Sequence, residues 1–440
     1  MDRCPPLRYL LIPLLAISLG FLLVFAGQTD RGLPGVLSIP GGAFALAGFA
    51  LPYPDILYAP CFVVLFLLAH AAVRIRLPQA DPFILPAVAL LAGLGLIMTL
   101  RLAPDLAAAR QEIIASVLKA EPAASVTNNV ALLAQLGIRH MTHLAAGMLL
   151  LVLAMYGFTK RIVARLSAKK YLWVILSAAL IFLTLWFGQK INGRRLWLFG
   201  IQSVEAVKIL MLLFIAGYLY EQGKGIAAYR QGGLHFWLRY AGPFVVMWGF
   251  ALLPLFIQKD LGPTVLIFIV FLLMLFSAGN RLIVSLLFIA LPLLAGYLSY
   301  QLGYPPLVRE RFDALLDPFN TSEAMTRVLW SLSSGRWIGA GIGYGQPYRI
   351  PEVQSDFSYV ALCEEMGFIG GAAVVVAYVL FVSRCLVIAR GLENRYRKAL
   401  VVGIATLVVT QATIIILGNL VVIPLTGITL PFVSYGGSSL

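Results

Sequence analysis

Eleven apolar runs dominate this sequence, and each is long enough to cross the roughly 30 Å hydrocarbon core of a membrane as a helix. The runs lie near residues 7–26, 56–73, 83–100, 143–159, 172–188, 206–220, 238–257, 263–278, 281–300, 357–382 and 400–420. Charged residues make up only 12% of the 440 residues, about half the share in a typical soluble domain. The sequence therefore predicts an all-α polytopic membrane protein, whose backbone polar groups are satisfied within helices.

The first run has two interpretations. Its apolar part, Tyr9 to Ala26, follows Arg3 and Arg8 and could be a secretory signal, since Val24 and Ala26 suit a cleavage site. It is longer than the apolar core of roughly 7–15 residues that such signals carry, so we expect a retained first span. Residues 36–54 are apolar but interrupted by glycine and proline, and we interpret them as interfacial.

The charges of the connecting segments indicate the orientation of the chain. If the N-terminus is cytoplasmic, the inner segments carry 18 Lys and Arg in 67 residues and the outer segments carry 14 in 169. Because cytoplasmic loops are enriched in these residues, this orientation is favoured. The polar segments 101–142 and 301–356 and the final stretch 421–440 then face outward. An odd number of spans leaves the C-terminus outside, so we expect that a final helix is absent from this chain.

Several function classes are disfavoured. The net charge of +14 is typical of basic cytoplasmic loops beside anionic lipids rather than of nucleic-acid binding. The four cysteines are scattered, and no phosphate-binding P-loop motif is present. The glycine-rich run 335–345 follows no predicted strand, so we interpret it as a flexible or re-entrant external segment rather than a dinucleotide site. His140 and His143 lack a third ligand and are predicted to be interfacial side chains.

Acidic residues concentrate in the segment from residue 350 to residue 371, where the chain enters a membrane helix. Asp356 precedes that helix, so it is either a helix-capping acid or a general base at the membrane surface. Glu364 and Glu365 lie about two turns further on, and at most one of them shares the face of Asp356. Buried acids at this depth need partners, so an interhelix salt bridge is as good an interpretation as catalysis.

Two further polar stretches face outward in this topology. Arg194 and Arg195 precede a helix that carries Glu205 and Lys208 three residues apart. This stretch is either an interfacial turn that anchors the helix or a cationic patch for an anionic, lipid-linked substrate. The short connection 258–264, with Asp260, is either a turn or a contact to a sugar or metal.

Four ordered motifs in residues 83–440 resemble those of the SEDS (shape, elongation, division and sporulation) family. Residues 424–440, PLTGITLPFVSYGGSSL, resemble its C-terminal signature. The second match is Gln202 to Glu205 with Lys208, for the pattern Q-P-S-E-x-x-K, and the third is residues 258–262, for Q-P-D-L-G. The fourth match has three parts. Residues 317–319 match D-P-F, residues 335–345 match a glycine-rich run, and residues 351–370 match L-P-E-x-x-T-D-F followed by E-E-x-G-F-I-G. Departures include Val204 for serine, Lys259 for proline and Gln354-Ser355 for His-Thr, whereas Asp356 and both glutamates are kept.

The resemblance implies a SEDS-type bundle of about ten core transmembrane helices. Residues 83–440 would form this core, with large extracytoplasmic loops at 101–142 and 301–356. The last core helix would be the one absent from this chain. Residues 1–82 would then be an N-terminal extension of two membrane helices.

The resemblance also implies a peptidoglycan glycosyltransferase of the bacterial plasma membrane, which polymerises lipid II on the outer face for elongation or division. Asp356 is the implied catalytic base. Candidates for substrate binding are Arg194, Arg195, Lys259, Asp260, Arg336 and Arg349, and supporting residues are Glu205, Lys208, Glu364, Glu365, Ser434, Gly436 and Gly437. A divalent cation, Mg²⁺ or Mn²⁺, is left open as a cofactor, and no nucleotide or organic cofactor is expected. Expected partners are lipid II, membrane lipids and a class B penicillin-binding protein. The alternatives are a lipid II flippase and a non-catalytic scaffold for a transpeptidase.

Overall fold

Helices form nearly all of the regular structure in the part of the chain that the computed structural model describes. That part comprises residues 7–30, 45–46, 49–50, 57–118, 133, 135–191, 194–198, 201–227, 249, 261–277, 294, 296–303 and 306–436. The helices are α1 (Arg8–Asp30), α2 (Tyr58–Arg76), α3 (Ile84–Leu118), α4 (Leu136–Gly157), α5 (Lys160–Ala168), α6 (Lys170–Phe187), α7 (Ser203–Ala227), α8 (Leu261–Ser277), α9 (Pro306–Leu316), α10 (Pro318–Thr321), α11 (Glu323–Gly335), α12 (Ser358–Arg390) and α13 (Arg395–Asn419), with a 3-10 turn at Pro347–Arg349.

Helices occupy the predicted membrane spans in the part of the chain that the structure describes. Nine of the eleven overlap a helix given above. Of the other two, the span near 238–257 lies outside the described residues apart from Gly249, and only the end of the span near 281–300 is described. Within the described residues, six helices are long and apolar enough to cross a membrane: Tyr58–Arg76, Ile84–Arg110, Leu136–Gly157, Lys170–Phe187, Ser358–Arg390 and Arg395–Asn419. The chain is a multi-pass membrane protein.

Helix α3 is longer than the hydropathy pattern indicated. The predicted external segment 101–142 begins as a continuation of this helix to Leu118. Residues 105–118 contain four alanines together with Arg110, Gln111 and Glu112, which are all good helix formers, and they contain no glycine. The helix therefore continues beyond the point at which the apolar run ends.

Short strands add to the helical architecture. Strands β1 (Ala45–Leu46) and β2 (Phe49–Ala50) pair antiparallel within the segment that was interpreted as interfacial. The strands β3 (Gln189–Ile191), β4 (Arg194–Leu198) and β5 (Ile201–Gln202) form a three-stranded antiparallel sheet directly before α7. An Asn-Gly pair lies between β3 and β4, and this dipeptide is a strong sequence signal for a hairpin.

The chain divides into two compact units. The first contains Met1–Tyr156, Glu323–Phe381 and Thr429–Leu440, and the second contains Gly157–Ser322 and Val382–Ile428. The division into an extension at 1–82 and a core at 83–440 stays a prediction.

In the first unit, α3 is the central helix. Every side chain from residue 91 to residue 103 is buried, as expected of a helix that is apolar on all sides. Helix α1 packs on it. The buried stripe of α1 recurs every three or four residues, at Leu10, Leu14, Ile17, Phe21 and Val24. This spacing places the whole stripe on one helix face.

In the second unit, α7 is the central helix and contacts α6, α8 and α13. Its buried side chains include Val207, Met211, Phe214 and Ile215. Helix α13 begins at a side-chain cap, because the Asn394 side chain accepts a hydrogen bond from the backbone N–H of Arg397 at 3.1 Å.

Candidate active site

Asp356 lies in a turn directly before α12. The turn covers residues 351–356, and the backbone N–H of Asp356 donates to the carbonyl of Glu352 at 3.0 Å. Its side chain is half-buried, and α12 begins two residues later at Ser358. The sequence therefore placed this aspartate correctly, immediately before the N-terminal end of a membrane helix.

The C-terminal signature packs against this turn. The backbone N–H of Tyr435 donates to the carbonyl of Gln354 at 2.9 Å. The Ser434 hydroxyl is fully buried, lies 2.7 Å from the Ser358 hydroxyl, and accepts from the N–H of Leu430 at 2.9 Å. Ser434 thus ties the signature to the first residue of α12. Gly436 is half-buried, and Gly437 lies outside the described residues.

Glu364 and Glu365 hold the glycine-rich segment. The main-chain carbonyl of Glu364 accepts from Ala340 N–H at 2.8 Å, and that of Glu365 accepts from Gly341 N–H at 3.0 Å. The Glu365 side chain accepts from Gly343 N–H at 3.0 Å, and that of Glu364 accepts from Gln346 N–H at 2.6 Å. The Ser331 hydroxyl also donates to Glu364.

The glycine-rich segment was predicted to be flexible or re-entrant. The structure anchors it along its length, so the prediction of flexibility is wrong, and the re-entrant alternative stays a prediction. Its backbone crosses α12 at a break in the helix, where Gly367 has φ 68° and ψ −168°. Next to the break, Phe368 N–H donates to the Arg336 carbonyl at 2.9 Å, and Ile369 N–H donates to the Trp337 carbonyl at 3.3 Å. Hydrogen bonds therefore join this loop to α12 on both sides of the break. We call the glycine-rich loop, together with residues 364–369 of α12, the frame of the Asp356 turn.

Arg101 completes this frame. This arginine was not among the site residues predicted from the sequence. The guanidinium Nη1 donates to Asp105, and Nη2 donates to the carbonyls of Gly343 at 3.1 Å and Gly345 at 3.2 Å. Nε lies 3.0 Å from Glu365 Oε1, an ion pair between α3 and α12. The side chain is only 2% exposed. A buried arginine in a membrane helix is costly without such partners.

A sequence signal for Arg101 existed. An arginine and an aspartate stand four residues apart at the end of a long apolar run, and such spacing places them on one helix face. The salt-bridge interpretation of Glu365 also required a cation from another helix.

Arg336 and Arg349 are the predicted substrate-binding residues whose side chains the structure describes. Both are exposed. Arg336 has φ 46° and lines a shallow surface pocket of ≈ 420 Å³ with Trp337 and Phe368. Arg349 ends the 3-10 turn, and its carbonyl accepts from the Arg327 guanidinium. Arg336 and Arg349 both belong to the unit that contains Asp356.

Of the remaining substrate-binding candidates, Arg194 and Arg195 belong to the second unit. The structure describes only the backbone of Arg194 and Arg195, which lie in β4, and Lys259 and Asp260 lie outside the described residues. Among the described side chains, no group of three or more His, Cys, Asp and Glu is suited to hold a metal ion.

Glu205 and Lys208 form an ion-pair cluster within the second unit, in which the lysine is buried and the glutamate is half-buried. Lys208 Nζ lies 2.7 Å from Glu205 Oε2 and donates to Gln411 Oε1 of α13 at 2.8 Å. The lysine is 4% exposed. The pair therefore connects α7 to α13, which agrees with a supporting role.

The lysine of this cluster yields a stability prediction. Lys208→Met keeps the apolar stem but leaves the Glu205 carboxylate without its cation, so we expect the free energy of unfolding to fall by about 3 kcal/mol. Thermal unfolding in detergent measures the change. The double variant Lys208→Met/Glu205→Gln should recover part of the loss, and a single variant as stable as the parent would contradict the prediction.

His140 differs from its predicted interfacial position. Its side chain is fully buried, and Nδ1 lies 2.9 Å from the Thr99 hydroxyl. The rings of His140 and His143 lie 6.0 Å and 6.4 Å from the Tyr435 ring. The two histidines at the start of α4 thus contact the C-terminal signature through Tyr435, and His140 also contacts α3 through Thr99.

Comparisons with known proteins give consistent relatives. Residues 113–440 match the model of the FtsW, RodA and SpoVE family, which is described as a family of cell cycle proteins. The chain is 30% identical over 450 residues to the peptidoglycan glycosyltransferase RodA of Mycobacterium tuberculosis, which covers 96% of this chain and 84% of the relative. It is 34% identical over 262 residues to the stage V sporulation protein E of Bacillus subtilis, which covers 57% of this chain and 68% of the relative.

A solved structure has the same fold. Its description reads "Structural coordination of polymerization and crosslinking by a peptidoglycan synthase complex". The two chains superpose with a TM-score of 0.54 at 24% sequence identity. The superposition covers 78% of this chain and 92% of that chain. The likeness extends the comparison from sequence to the helical architecture.

Proposed function

We propose that this chain, which belongs to the SEDS family, is a peptidoglycan glycosyltransferase that polymerises lipid II into glycan strands. The relative named above as a peptidoglycan glycosyltransferase supports this activity. The observation that carries it is the position of Asp356, in a turn directly before α12 that the C-terminal signature holds through the hydrogen bond from Tyr435 N–H to the Gln354 carbonyl. This carboxylate can serve as the base.

The reaction is an inverting displacement at the anomeric carbon of a lipid-linked sugar. The attacking hydroxyl oxygen forms the new glycosidic bond while the bond from the anomeric carbon to the pyrophosphate oxygen breaks. Asp356 takes the proton of the attacking hydroxyl. The pyrophosphate leaves well, so cations that stabilise its charge replace a general acid. A helix N-terminus stabilises the Asp356 anion and weakens it as a base, an effect that precise positioning of the attacking hydroxyl and exclusion of water would have to offset.

Cationic side chains are assigned to the pyrophosphate. Arg336 and Arg349 are exposed in the unit that carries Asp356. Arg194, Arg195 and Lys259 are proposed for the same role from the sequence, with Asp260 as a further substrate contact. A divalent cation, Mg²⁺ or Mn²⁺, would add charge stabilisation at the same leaving group.

The proposed orientation, with a cytoplasmic N-terminus, assigns this chemistry to the outer face of the bacterial plasma membrane. Residues 368–390, after the break in α12, span roughly 34 Å at 1.5 Å per residue, which suffices to cross the hydrocarbon core alone. With a cytoplasmic N-terminus, Asp356 then lies beyond the outer end of that span. A single-span class B penicillin-binding protein, a transpeptidase, is the proposed partner that crosslinks the product.

A polymerisation assay tests the proposed function. Purified chain is supplied with lipid II, with and without a class B penicillin-binding protein whose own transpeptidase site is blocked. We expect glycan polymer from the parent chain. A flippase would move labelled lipid II across vesicles and form no polymer. A non-catalytic scaffold would bind the partner and produce neither signal, and either result would overturn the proposal.

A further inference from the structure

The buried ion cluster around Arg101 connects three separate segments of the chain, whereas a local salt bridge connects two side chains. It joins α3, the glycine-rich loop and α12 through Asp105, the Gly343 and Gly345 carbonyls, and Glu365. The mechanism above assigns Arg101 no role. At 2% exposure it cannot contact a substrate. Intramembrane ionisable groups that are retained at such cost point to a function.

The Gly343 peptide is held on both sides. Its N–H donates to Glu365 Oε2 at 3.0 Å, and its carbonyl accepts from Arg101 Nη2 at 3.1 Å. The same guanidinium nitrogen holds the Gly345 carbonyl at 3.2 Å. The planar guanidinium thereby fixes two carbonyls and two carboxylates at once, a geometry that a point charge cannot reproduce.

The anchored loop leads directly to the Asp356 turn. Next to Gly345, the N–H of Gln346 donates to Glu364 Oε1 at 2.6 Å. This bond closes the chain from Gln346 to Glu364 into a ring, and Asp356 lies near its middle. Arg101 fixes the start of the ring through Gly345 and its end through Glu365.

We propose that Arg101 is a positioning residue for glycosyl transfer: through Asp105, Glu365 and the Gly343 and Gly345 carbonyls, it sets the orientation of the turn that carries Asp356. The proposal rests on the proposed function. It makes Arg101 act on the turnover step rather than on substrate binding, since the guanidinium contacts neither the substrate nor the reacting atoms. Misplacement of a catalytic group by about 1 Å can cost about 10²-fold in rate.

Arg101→Lys tests the proposal, because it separates charge from geometry. Lysine keeps a cation near Asp105 and Glu365, so the variant should fold and retain a melting temperature close to that of the parent. A lysine cannot hold both carbonyls and both carboxylates. We therefore expect kcat for lipid II polymerisation to fall by about 10²-fold, with KM unchanged. Arg101→Ala should lose both stability and activity.

The matched control is Arg309→Lys. Arg309 also pairs with an aspartate four residues later, Asp313, at 3.7 Å, but its side chain is 64% exposed. An exposed pair of this kind contributes little to stability, so kcat, KM and melting temperature should stay at parental values.

Hydrogen–deuterium exchange gives a second measurement that does not depend on activity. In Arg101→Lys, peptides that contain Gly343 and Gln346 should exchange faster than in the parent, whereas peptides of α13 should not change. Parental kcat in Arg101→Lys would overturn the proposal whatever the exchange shows, and so would an activity loss that only follows the unfolded fraction. If the parent chain makes no polymer, the proposed function fails, while the exchange comparison still decides whether Arg101 anchors the loop.

Discussion

Purified Asp356→Asn is expected to fold like the parent chain and to polymerise lipid II about 10²- to 10⁴-fold more slowly, the range that a general base contributes. Asparagine has nearly the same shape as aspartate but cannot accept the proton of the attacking hydroxyl. Because Asp356 acts in the turnover step, the loss should appear in kcat with little change in KM. Steady-state rates of glycan formation from lipid II measure this directly.

Asparagine also separates the two interpretations of Asp356 that the sequence left open. Asn and Asp are about equally good at capping helices. If Asp356 served only to cap α12, Asp356→Asn would keep both stability and activity. If it is the base, stability stays and activity is lost. Asp356→Ala removes both properties, so its melting temperature shows how much capping this residue provides.

An exposed acid of the same external segment provides the control. Glu310 lies on α9 with its side chain exposed, and Glu310→Gln removes one negative charge without touching the turn. We expect parental rates from it. Parental rates from correctly folded Asp356→Asn would refute the assignment of the base.

The membrane spans could be predicted because length and hydropathy decide them locally. A run of about twenty apolar residues has few alternatives to a helix in lipid. The same local reasoning placed Asp356 immediately before α12, since the acid follows a polar segment and precedes such a run. Hydropathy alone underestimates the length of α3, because helix propensity continues this helix beyond the apolar residues.

The frame around Asp356 could not be predicted, because it is made of contacts between distant parts of the chain. Arg101 donates to the Gly343 carbonyl 242 residues later, and periodicity gives no information about such a pairing. The acids were visible, but a helical wheel shows only that Glu364 and Glu365 point in different directions. It does not show that both reach the same loop, which requires the break in α12 at Gly367.

Gly367→Ala is expected to destabilise this frame more than any surface change could. At φ 68° and ψ −168°, Gly367 occupies a backbone region that is essentially restricted to glycine. A Cβ added there would lie 2.4 Å from the Gly339 nitrogen and 2.4 Å from the Trp337 carbonyl oxygen. Both contacts are to backbone atoms, which cannot rotate away as a flexible side chain does.

The loss of stability in Gly367→Ala should therefore combine backbone strain at residue 367 with separation of the glycine-rich loop from α12. Moving the glycine-rich loop away would weaken the hydrogen bonds from Phe368 N–H and Ile369 N–H to the Arg336 and Trp337 carbonyls. We expect the free energy of unfolding to fall by about 4 kcal/mol or more, in the range reserved for such named mechanisms. Thermal unfolding in detergent measures the effect, and polymerisation should fall with it, because the same loop leads to the Asp356 turn.

Gly391→Ala is the matched control for this substitution. Gly391 directly follows the last residue of α12, and the nearest atom to an added Cβ is the Ile388 carbonyl oxygen at 3.6 Å, an ordinary contact. Its stability should stay within about 0.5 kcal/mol of the parent. Equal melting temperatures for the two variants would mean that the crossing at Gly367 yields without cost. The loop would then not be held rigidly enough to position Asp356, and the ring from Gln346 to Glu364 would lose its proposed role in the reaction.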